Sequence, residues 1–290
     1  MQIDVRNLTY IYNEKSKDFA VKAVDDVSLS IGEGIFGVIG HTGSGKSTFI
    51  QHLNGLIKVQ KNRGKITVGE FDLTDKKCNF KKLRAKVGMV FQYPEYQLFA
   101  ETVRDDVAFA LKNFYPDLSE EEKEQRIKTA IETVGLNYEK VKDRSPFELS
   151  GGNKRRVAIA GVIVASPEVL VLDEPVAGLD PKGKNEFISL IHELLKNVVK
   201  TVVIVSHDMN LIAEYCDGAA VFSHGKIYKT GTPEEVFNDA GDVLGLGLEL
   251  PLVIKLKNAL KDKGVDIKCG VSEESFINAA ADIFGGGKTK

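Results

Sequence analysis

The sequence predicts an α/β protein with a mainly parallel sheet and helices on both sides. Apolar, β-branched runs alternate with helical patterns along most of its 290 residues, as in proteins built from parallel βαβ units. A glycine-rich loop follows the third run, and a charged helical stretch interrupts the series. Eight runs predict strands: Ile3–Tyr12, Ala23–Ile31, Ile35–Ile39, Lys65–Val68, Val87–Phe91, Val169–Leu172, Val202–Val205 and Ala219–Phe222.

The glycine-rich loop fits the phosphate-loop pattern G-x-x-x-x-G-K-[ST]. It consists of Gly40, His41, Thr42, Gly43, Ser44, Gly45, Lys46, Ser47 and Thr48. Glycines let backbone amides approach phosphate oxygens, and the following helix offers its positive end. The pattern predicts that Lys46 contacts the β- and γ-phosphates of ATP and that Ser47 coordinates Mg²⁺.

A glycine-rich turn with a surface lysine would match the same letters, so the flanking sequence decides between the two interpretations. A predicted buried strand, Ile35–Ile39, enters the loop. The apolar residues that follow recur at the spacing of one helix face: Phe49, Ile50, Leu53, Leu56 and Ile57. Strand, loop and helix in this order favour nucleotide binding.

Two carboxylates follow the apolar run Val169–Leu172. In parallel sheets, ligands bind at the carboxyl ends of the strands, so Asp173 and Glu174 are expected beside the phosphate loop. We predict that Asp173 holds Mg²⁺ through water and that Glu174 orients or deprotonates the attacking water. Acidic residues after a strand also cap turns, and only the upstream phosphate loop favours the catalytic interpretation.

The charged helical stretch predicts a helical subdomain at about residues 93–165, inserted into a nucleotide-binding domain at 1–240. Ser119 and Glu122 form a capping-box pattern, and Gly135 ends the helix behind it. Further on, Ser150, Gly151 and Gly152 predict a second anion-binding helix start, although a simple helix cap would look the same. One chain has no use for two distant γ-phosphate sites, so we expect the second one to close over the nucleotide of a partner chain.

These motifs, in this order, resemble ATP-binding-cassette ATPases over roughly residues 1–235. The resemblance implies antiparallel strands at the N-terminus, Tyr12 stacked on adenine, and Gln92 sensing the γ-phosphate and binding the metal. It also implies that Asp180 crosses a dimer interface and that His207 contacts the γ-phosphate as a switch. The family usually has glutamine where this chain has Asn153, which leaves the serine and glycines that face phosphate intact.

The segments Gly40–Thr48, Gln51–Leu56 and Phe91–Phe99 resemble the ATPases of energy-coupling-factor importers, and among their paired ATPases the second type. The resemblance implies a homologous ATPase partner, in a heterodimer or a homodimer, and a transmembrane coupling subunit. It also implies a small membrane subunit that captures a vitamin or transition-metal ion. An ATPase of another transporter class, a soluble cassette ATPase and a purely regulatory nucleotide-binding module are the alternatives.

Composition excludes several other classes. The net charge of −2 and the three cysteines without metal-ligand spacing predict no nucleic-acid partner and a reducing compartment. The longest apolar run, Val157–Ala165, falls short of the ~20 residues that span a bilayer, and we expect no signal peptide. Together with the resemblance above, this implies a chain held by its partners at the cytoplasmic face of a bacterial cell membrane.

Residues 241–290 are predicted to be a helical extension with two helices, Pro251–Lys263 and Ser272–Phe284, and a flexible tail from Gly285. Their apolar positions exceed what a short hairpin can bury. They are expected either to pack on the cassette or to hold two ATPases together.

Overall fold

The computed structural model describes residues 1–16, 19–237 and 240–284, and its strands form two sheets. The predicted tail after Phe284 lies outside these ranges. The strands are β1 (Ile3–Tyr12), β2 (Val21–Ile31), β3 (Gly34–Gly40), β4 (Lys65–Val68), β5 (Phe71–Asp72), β6 (Val87–Val90), β7 (Val169–Asp173), β8 (Thr201–Val205), β9 (Gly218–Ser223) and β10 (Lys226–Gly231).

Helices alternate with these strands after β3, and two short 3-10 helices, Pro94–Gln97 and Pro146–Glu148, lie between β6 and β7. The α-helices are α1 (Lys46–Leu53), α2 (Phe80–Lys86), α3 (Val103–Phe114), α4 (Glu120–Thr133), α5 (Tyr138–Val141), α6 (Gly151–Ile163), α7 (Pro181–Asn197), α8 (Met209–Tyr215), α9 (Pro233–Phe237), α10 (Ala240–Gly245), α11 (Leu252–Lys261) and α12 (Glu273–Phe284). Among the described residues, no helix is both long and apolar enough to cross a membrane.

The larger sheet has the strand order β10-β9-β3-β8-β7-β6, and all its pairs are parallel except β10 with β9. The smaller sheet has the order β2-β1-β4-β5 and is antiparallel. The predicted fold class is therefore confirmed, including the antiparallel strands at the N-terminus. Because β3, β7 and β8 are parallel neighbours, the loops that follow them meet at one edge of the sheet.

Side chains of the parallel strands alternate between two apolar cores. In β7, Val169 and Val171 face the core shared with α1 and the antiparallel sheet, whereas Leu170 and Leu172 face the core shared with the helical subdomain. All five residues of β7 are buried, as expected for a central strand covered on both faces. This packing fixes the direction in which the last residue of the strand leaves the sheet.

The inserted helical subdomain consists of α3 to α6, between β6 and β7. The capping box predicted for Ser119 and Glu122 is present at the start of α4. The apolar side chains of α4, Ile127, Ala130 and Ile131, are buried, and Gly135 follows the helix with a left-handed φ of 78°. These local signals were readable because they depend only on neighbouring residues.

Some predicted elements differ from those in the structure. The helix after the phosphate loop ends at Leu53, so Leu56 and Ile57 do not continue its apolar face, and Leu56 is half exposed. Asn54 and Gly55, the latter at φ 68°, end the helix because a left-handed residue cannot continue it. The strands β5 and β10 were not predicted. β5 has two residues, and β10 alternates without a strong apolar face.

Both predicted helices of the extension exist, as α11 and α12. The first part of the extension packs on the cassette, since Val243, Leu248, Leu250 and Ile254 belong to its main core. By contrast, α12 has no buried residue, and Ile277, Ile283 and Phe284 are exposed. Packing on the cassette is thus seen for the first part of the extension, and contact with a second ATPase stays a prediction for α12.

Candidate active site

The phosphate loop joins the end of β3 to α1 in a conformation that only glycine tolerates at two positions. Gly45 has φ 103°, and a Cβ there would lie 2.2 Å from the carbonyl oxygen of Ala23. Gly40 has φ 148°, and its Cβ would lie 2.3 Å from the carbonyl oxygen of Phe222. Neither approach is compatible with a side chain. The pattern's glycines therefore follow from the path of the loop.

Lys46 is the first residue of α1 and is buried. Its ammonium donates hydrogen bonds to the carbonyl oxygens of Gly40 at 2.7 Å and His41 at 2.8 Å. The pKa of Lys46 is lowered because the ammonium is buried, although the charges of Glu174 and Asp173 oppose this shift. The loop thus curls around a cation that lies close to two carboxylates.

Asp173 ends β7 and is buried beside the phosphate loop. The pKa of Asp173 is raised, chiefly by burial and also by the nearby charge of Glu174. A hydrogen bond with the Ser47 side chain opposes this shift. A buried carboxylate next to a hydroxyl and a second carboxylate is stabilised by a cation. Oxygen donors of this kind suit a hard divalent ion.

Glu174 follows directly and adopts a left-handed φ of 49°, which for a residue with a side chain costs about 1–2 kcal/mol. Strained backbone of this kind concentrates at functional positions. The Glu174 carboxylate accepts a 2.8 Å hydrogen bond from Nδ1 of His207. The side chain of Glu174 is 14% exposed and that of His207 is 72% exposed, so the hydrogen bond connects a largely buried carboxylate to an exposed imidazole.

One cavity of about 520 Å³ brings most of the predicted residues together. Its walls include Tyr12, Thr42, Gly43, Gly45, Lys46, Ser47, Thr48, Gln92, Asp173, Glu174 and His207. The Tyr12 hydroxyl lies 3.2 Å from the Thr48 hydroxyl. A neighbouring cavity is lined by Gly40 and His41. Ser44 is buried, and its hydroxyl makes no hydrogen bond with the described residues, as suits a loop whose ligand supplies the partner.

The remaining predicted residues line neither cavity. Ser150 caps α6 by accepting a 3.4 Å hydrogen bond from the backbone of Asn153, and Gly151 and Gly152 are exposed. Asp180 caps α7 by accepting a 2.7 Å bond from the backbone of Gly183. The start of α6 therefore presents an exposed, glycine-rich helix N-terminus that its own phosphate loop does not use.

Two features near these cavities have no signal in the sequence. Buried Arg155 in α6 donates hydrogen bonds to the carbonyl oxygens of Pro175 and Ala177. It thereby joins the glycine-rich helix start to the loop that follows Glu174. The segment Gly247–Leu250 walls the second cavity. Both contacts link residues far apart in the chain, where no local pattern exists.

A phosphate loop after a central parallel strand, two carboxylates at the carboxyl end of the next strand but one in the sheet, and an inserted helical subdomain define a cassette-type ATPase. The comparisons agree. The family model described as ABC transporter matches residues 24–177. The chain belongs to this family, and within it to the ATP-binding subunits of energy-coupling-factor transporters, which bind and hydrolyse ATP.

Two relatives named as ATP-binding proteins of energy-coupling factor transporters match most of the chain. The energy-coupling factor transporter ATP-binding protein EcfA2 of Clostridioides difficile is 52% identical over 269 residues, which is 92% of each chain. The protein of the same name from Clostridium acetobutylicum is 48% identical over 97% of this chain and 96% of the relative.

Two solved structures resemble the fold closely. One is cbiO1 from Clostridium perfringens, described as part of the ABC transporter complex cbiONQ. It matches with a TM-score of 0.73 and 35% identity over 88% of this chain and 98% of that one. The other is a dimeric ATP-binding cassette bound to ADP and Pi in a post-hydrolysis state. It matches with a TM-score of 0.70 and 27% identity over 80% of this chain and 98% of that one.

Proposed function

We propose that this chain is the motor subunit of an importer that takes up a vitamin or a transition-metal ion. ATP draws its cassette against that of a homologous ATPase, and hydrolysis releases the pair. The observation that carries the proposal is the separation of the two anion-binding elements. The phosphate loop lines a cavity with both carboxylates, whereas the helix start at Ser150 is exposed and absent from that cavity.

Within the cavity we assign Glu174, His207 and Gln92 as catalytic residues. Glu174 activates water, and His207 positions the Glu174 carboxylate through their 2.8 Å hydrogen bond. Residues 40–48 bind the phosphates of ATP, and Tyr12 stacks on its adenine. Across the dimer, the partner's nucleotide is bound by Ser150, Gly151, Gly152 and Asp180.

Ser47, Gln92 and Asp173 are the proposed Mg²⁺ ligands. Among the described residues, no cluster of three or more His, Cys, Asp and Glu side chains forms a metal site. Mg²⁺ is commonly held by one or two carboxylates, waters and the phosphates of its nucleotide, so one buried carboxylate, Asp173, with the oxygens of Ser47 and Gln92 in the same cavity fits this ion. When bound, Mg²⁺ neutralises charge that develops on the phosphates.

The partners follow from the same proposal. Besides the second ATPase, they are a transmembrane coupling subunit and a small membrane subunit that captures the substrate. The chain itself lies at the cytoplasmic face of the membrane as a peripheral subunit. We place the end of its cassette at residue 240 and the helical subdomain at about 93–165.

Reconstitution tests this proposal. The chain is produced with the proteins encoded beside its gene, purified through a tag on this chain, and placed in liposomes. The expected result is a complex with a second ATPase and integral membrane subunits. This complex should transport a vitamin or metal ion across the liposome membrane only when ATP is present on the side of the ATPases. Export, or a complex with another transporter type, would contradict the import assignment. ATP turnover without any membrane partner would favour a soluble cassette ATPase.

An exposed aromatic cluster next to Gln92 is suited to bind a helix of the coupling subunit. Its members Tyr93, Tyr96 and Phe99 are 46%, 85% and 58% exposed, and Phe99 packs edge-on against the exposed Phe109. Such anchors often carry interface energy. We expect Tyr96→Ser with Phe99→Ser to reduce ATP-driven uptake at least tenfold.

The same double variant should retain its binding to the second ATPase. Leu56→Ser, which removes a half-exposed apolar side chain elsewhere on the cassette, is the control and should transport normally. Full uptake by the Tyr96→Ser, Phe99→Ser complex, measured with labelled substrate in liposomes, would remove the cluster from the coupling surface.

The exposed face of α12 is proposed to contact the second ATPase. Removing residues 241–290 would uncover the main core, since Leu248, Leu250 and Ile254 are buried there, so surface substitutions are the sharper test. Ile277→Ser with Phe284→Ser should weaken association of the two ATPases about tenfold or more in nucleotide-free buffer. Burial of two large apolar side chains accounts for this magnitude.

The matched control for α12 is Asn278→Ser with Asp282→Ser, which changes two exposed polar positions of the same helix. Sedimentation velocity without ATP measures the association. Equal association of both double variants would show that α12 faces solvent or another subunit.

A further inference from the structure

The C-terminal extension touches the phosphate loop. The His41 ring donates a hydrogen bond from Nε2 to the backbone carbonyl of Leu246, which lies more than two hundred residues later in the chain. The next residue, Gly247, has φ 68°, and a Cβ there would lie 3.0 Å from His41 Nε2. The imidazole and the backbone at Leu246–Gly247 are therefore in direct contact.

This segment is anchored on both sides of the contact. Val243 and Leu248 are buried in the main core. The backbone amide of Leu252 donates a 2.6 Å hydrogen bond to Oδ1 of Asn210 in α8, the helix that follows His207. The segment thus connects the phosphate loop to α8, the helix that follows His207.

The contact continues towards the reacting centre. The carbonyl oxygen of His41 accepts a hydrogen bond from Lys46 Nζ, while the His41 ring holds Leu246. This segment and the catalytic side chains line one cavity of about 630 Å³, whose walls include Lys46, Glu174, His207 and Gly247–Leu250. His41 therefore contacts Lys46 through its backbone and the extension through its ring.

We propose that His41 and Gly247 are positioning residues that connect the phosphate loop to the C-terminal extension. Their contact keeps the loop and His207 in the relative positions that ATP hydrolysis needs. The inference rests on the proposed role of residues 40–48 in binding ATP. In this arrangement the His41 ring acts through the extension rather than on the nucleotide. The extension therefore contributes to the rate of ATP hydrolysis, besides any contact it makes with a partner.

A double-mutant cycle in the assembled transporter tests the proposal. His41→Ala should lower kcat about two- to tenfold, the range expected for one lost hydrogen bond, with a smaller change in KM. His41→Gln, which retains a donor, should restore most of the rate. Gly247→Ala should lower kcat by a similar factor, because its Cβ displaces the imidazole.

The decisive quantity is the coupling between the two positions. The His41→Ala, Gly247→Ala double variant should be hardly slower than either single variant, since the contact is lost only once. Gly264→Ala is the control, because Gly264 also has a left-handed φ, 84°, but its Cβ would meet nothing within 4 Å. Effects of His41→Ala and Gly247→Ala that simply multiply would overturn the proposal.

Hydrogen exchange gives a readout that does not depend on turnover. The amides of Gly247 and Leu248 donate to the carbonyl oxygens of Leu244 and Val243, so they report on this segment. They should exchange several-fold faster in His41→Leu than in wild type, and near the wild-type rate in His41→Gln. Unchanged exchange in His41→Leu would refute the tether. A wild-type complex without ATP turnover would instead refute the function assigned to residues 40–48 and leave this exchange test valid.

Discussion

Glu174→Gln is expected to slow ATP hydrolysis by about 10²–10⁴-fold while ATP still binds. General-base catalysis typically contributes a factor of this size, or roughly 3–5 kcal/mol of the activation barrier. The amide keeps the shape of the side chain and can still meet His207, which lies 2.8 Å from the carboxylate. It cannot accept a proton from water. Steady-state turnover and ATP binding, measured on the same preparation, separate the two effects.

The variant should also accumulate as a closed dimer in the presence of ATP and Mg²⁺, because hydrolysis is the step that reopens the pair. Size-exclusion chromatography with and without ATP detects this state. Glu193→Gln removes an equal charge from an exposed position of α7 and should behave as wild type. Turnover of the Glu174→Gln complex within threefold of wild type would assign the general base to another residue.

The sequence was informative wherever function depends on a contiguous segment. The phosphate loop needs a strand before it, glycines within it and a helix after it, and these requirements leave a readable pattern. Asp173 and Glu174 were readable for a related reason. A fully apolar run predicts a buried parallel strand, and the fold class then places its carboxyl end beside the loop. Both predictions agree with the cavity they share.

Contacts between distant segments left no such pattern. His41 was assigned to the phosphates because it lies in the loop, and nothing local indicates that its ring meets Leu246. Arg155 had the appearance of one more charge in a basic helix start, yet it is buried and holds the carbonyl oxygens of Pro175 and Ala177. A buried guanidinium needs acceptors, but their position depends on how α6 packs against the sheet.

The extension shows the same limit in another form. Of its apolar residues, Ile254 is buried, whereas Leu252 and Leu256 in the same helix and Ile277 and Phe284 in α12 are exposed. Amphipathic periodicity indicates that a helix has an apolar face and does not identify what covers that face. For α11 the cover is the cassette itself. For α12 the described residues provide no cover, and the substitutions proposed in that helix test whether the second ATPase does.

Lys46→Ala is expected to weaken ATP binding itself, about ten- to hundredfold, in contrast to the change at Glu174. A charge-assisted hydrogen bond is worth about 1.5–3 kcal/mol, and Lys46 is predicted to make such bonds with the β- and γ-phosphates. The ammonium is buried among Gly40, His41 and the two carboxylates. Removing it therefore leaves Asp173 and Glu174 without a nearby cation, which adds repulsion for the negative phosphates.

The comparison that isolates the charge uses Lys46→Met, which keeps the length and apolar stem of the side chain. Lys58→Ala, at an exposed position beyond α1, is the control for loss of a positive charge alone. Thermal unfolding without nucleotide shows whether the loop retains its fold, because Lys46 also bridges the carbonyl oxygens of Gly40 and His41. If folded Lys46→Ala and Lys46→Met bound ATP in equilibrium dialysis as tightly as wild type, the loop would not hold the phosphates through this lysine.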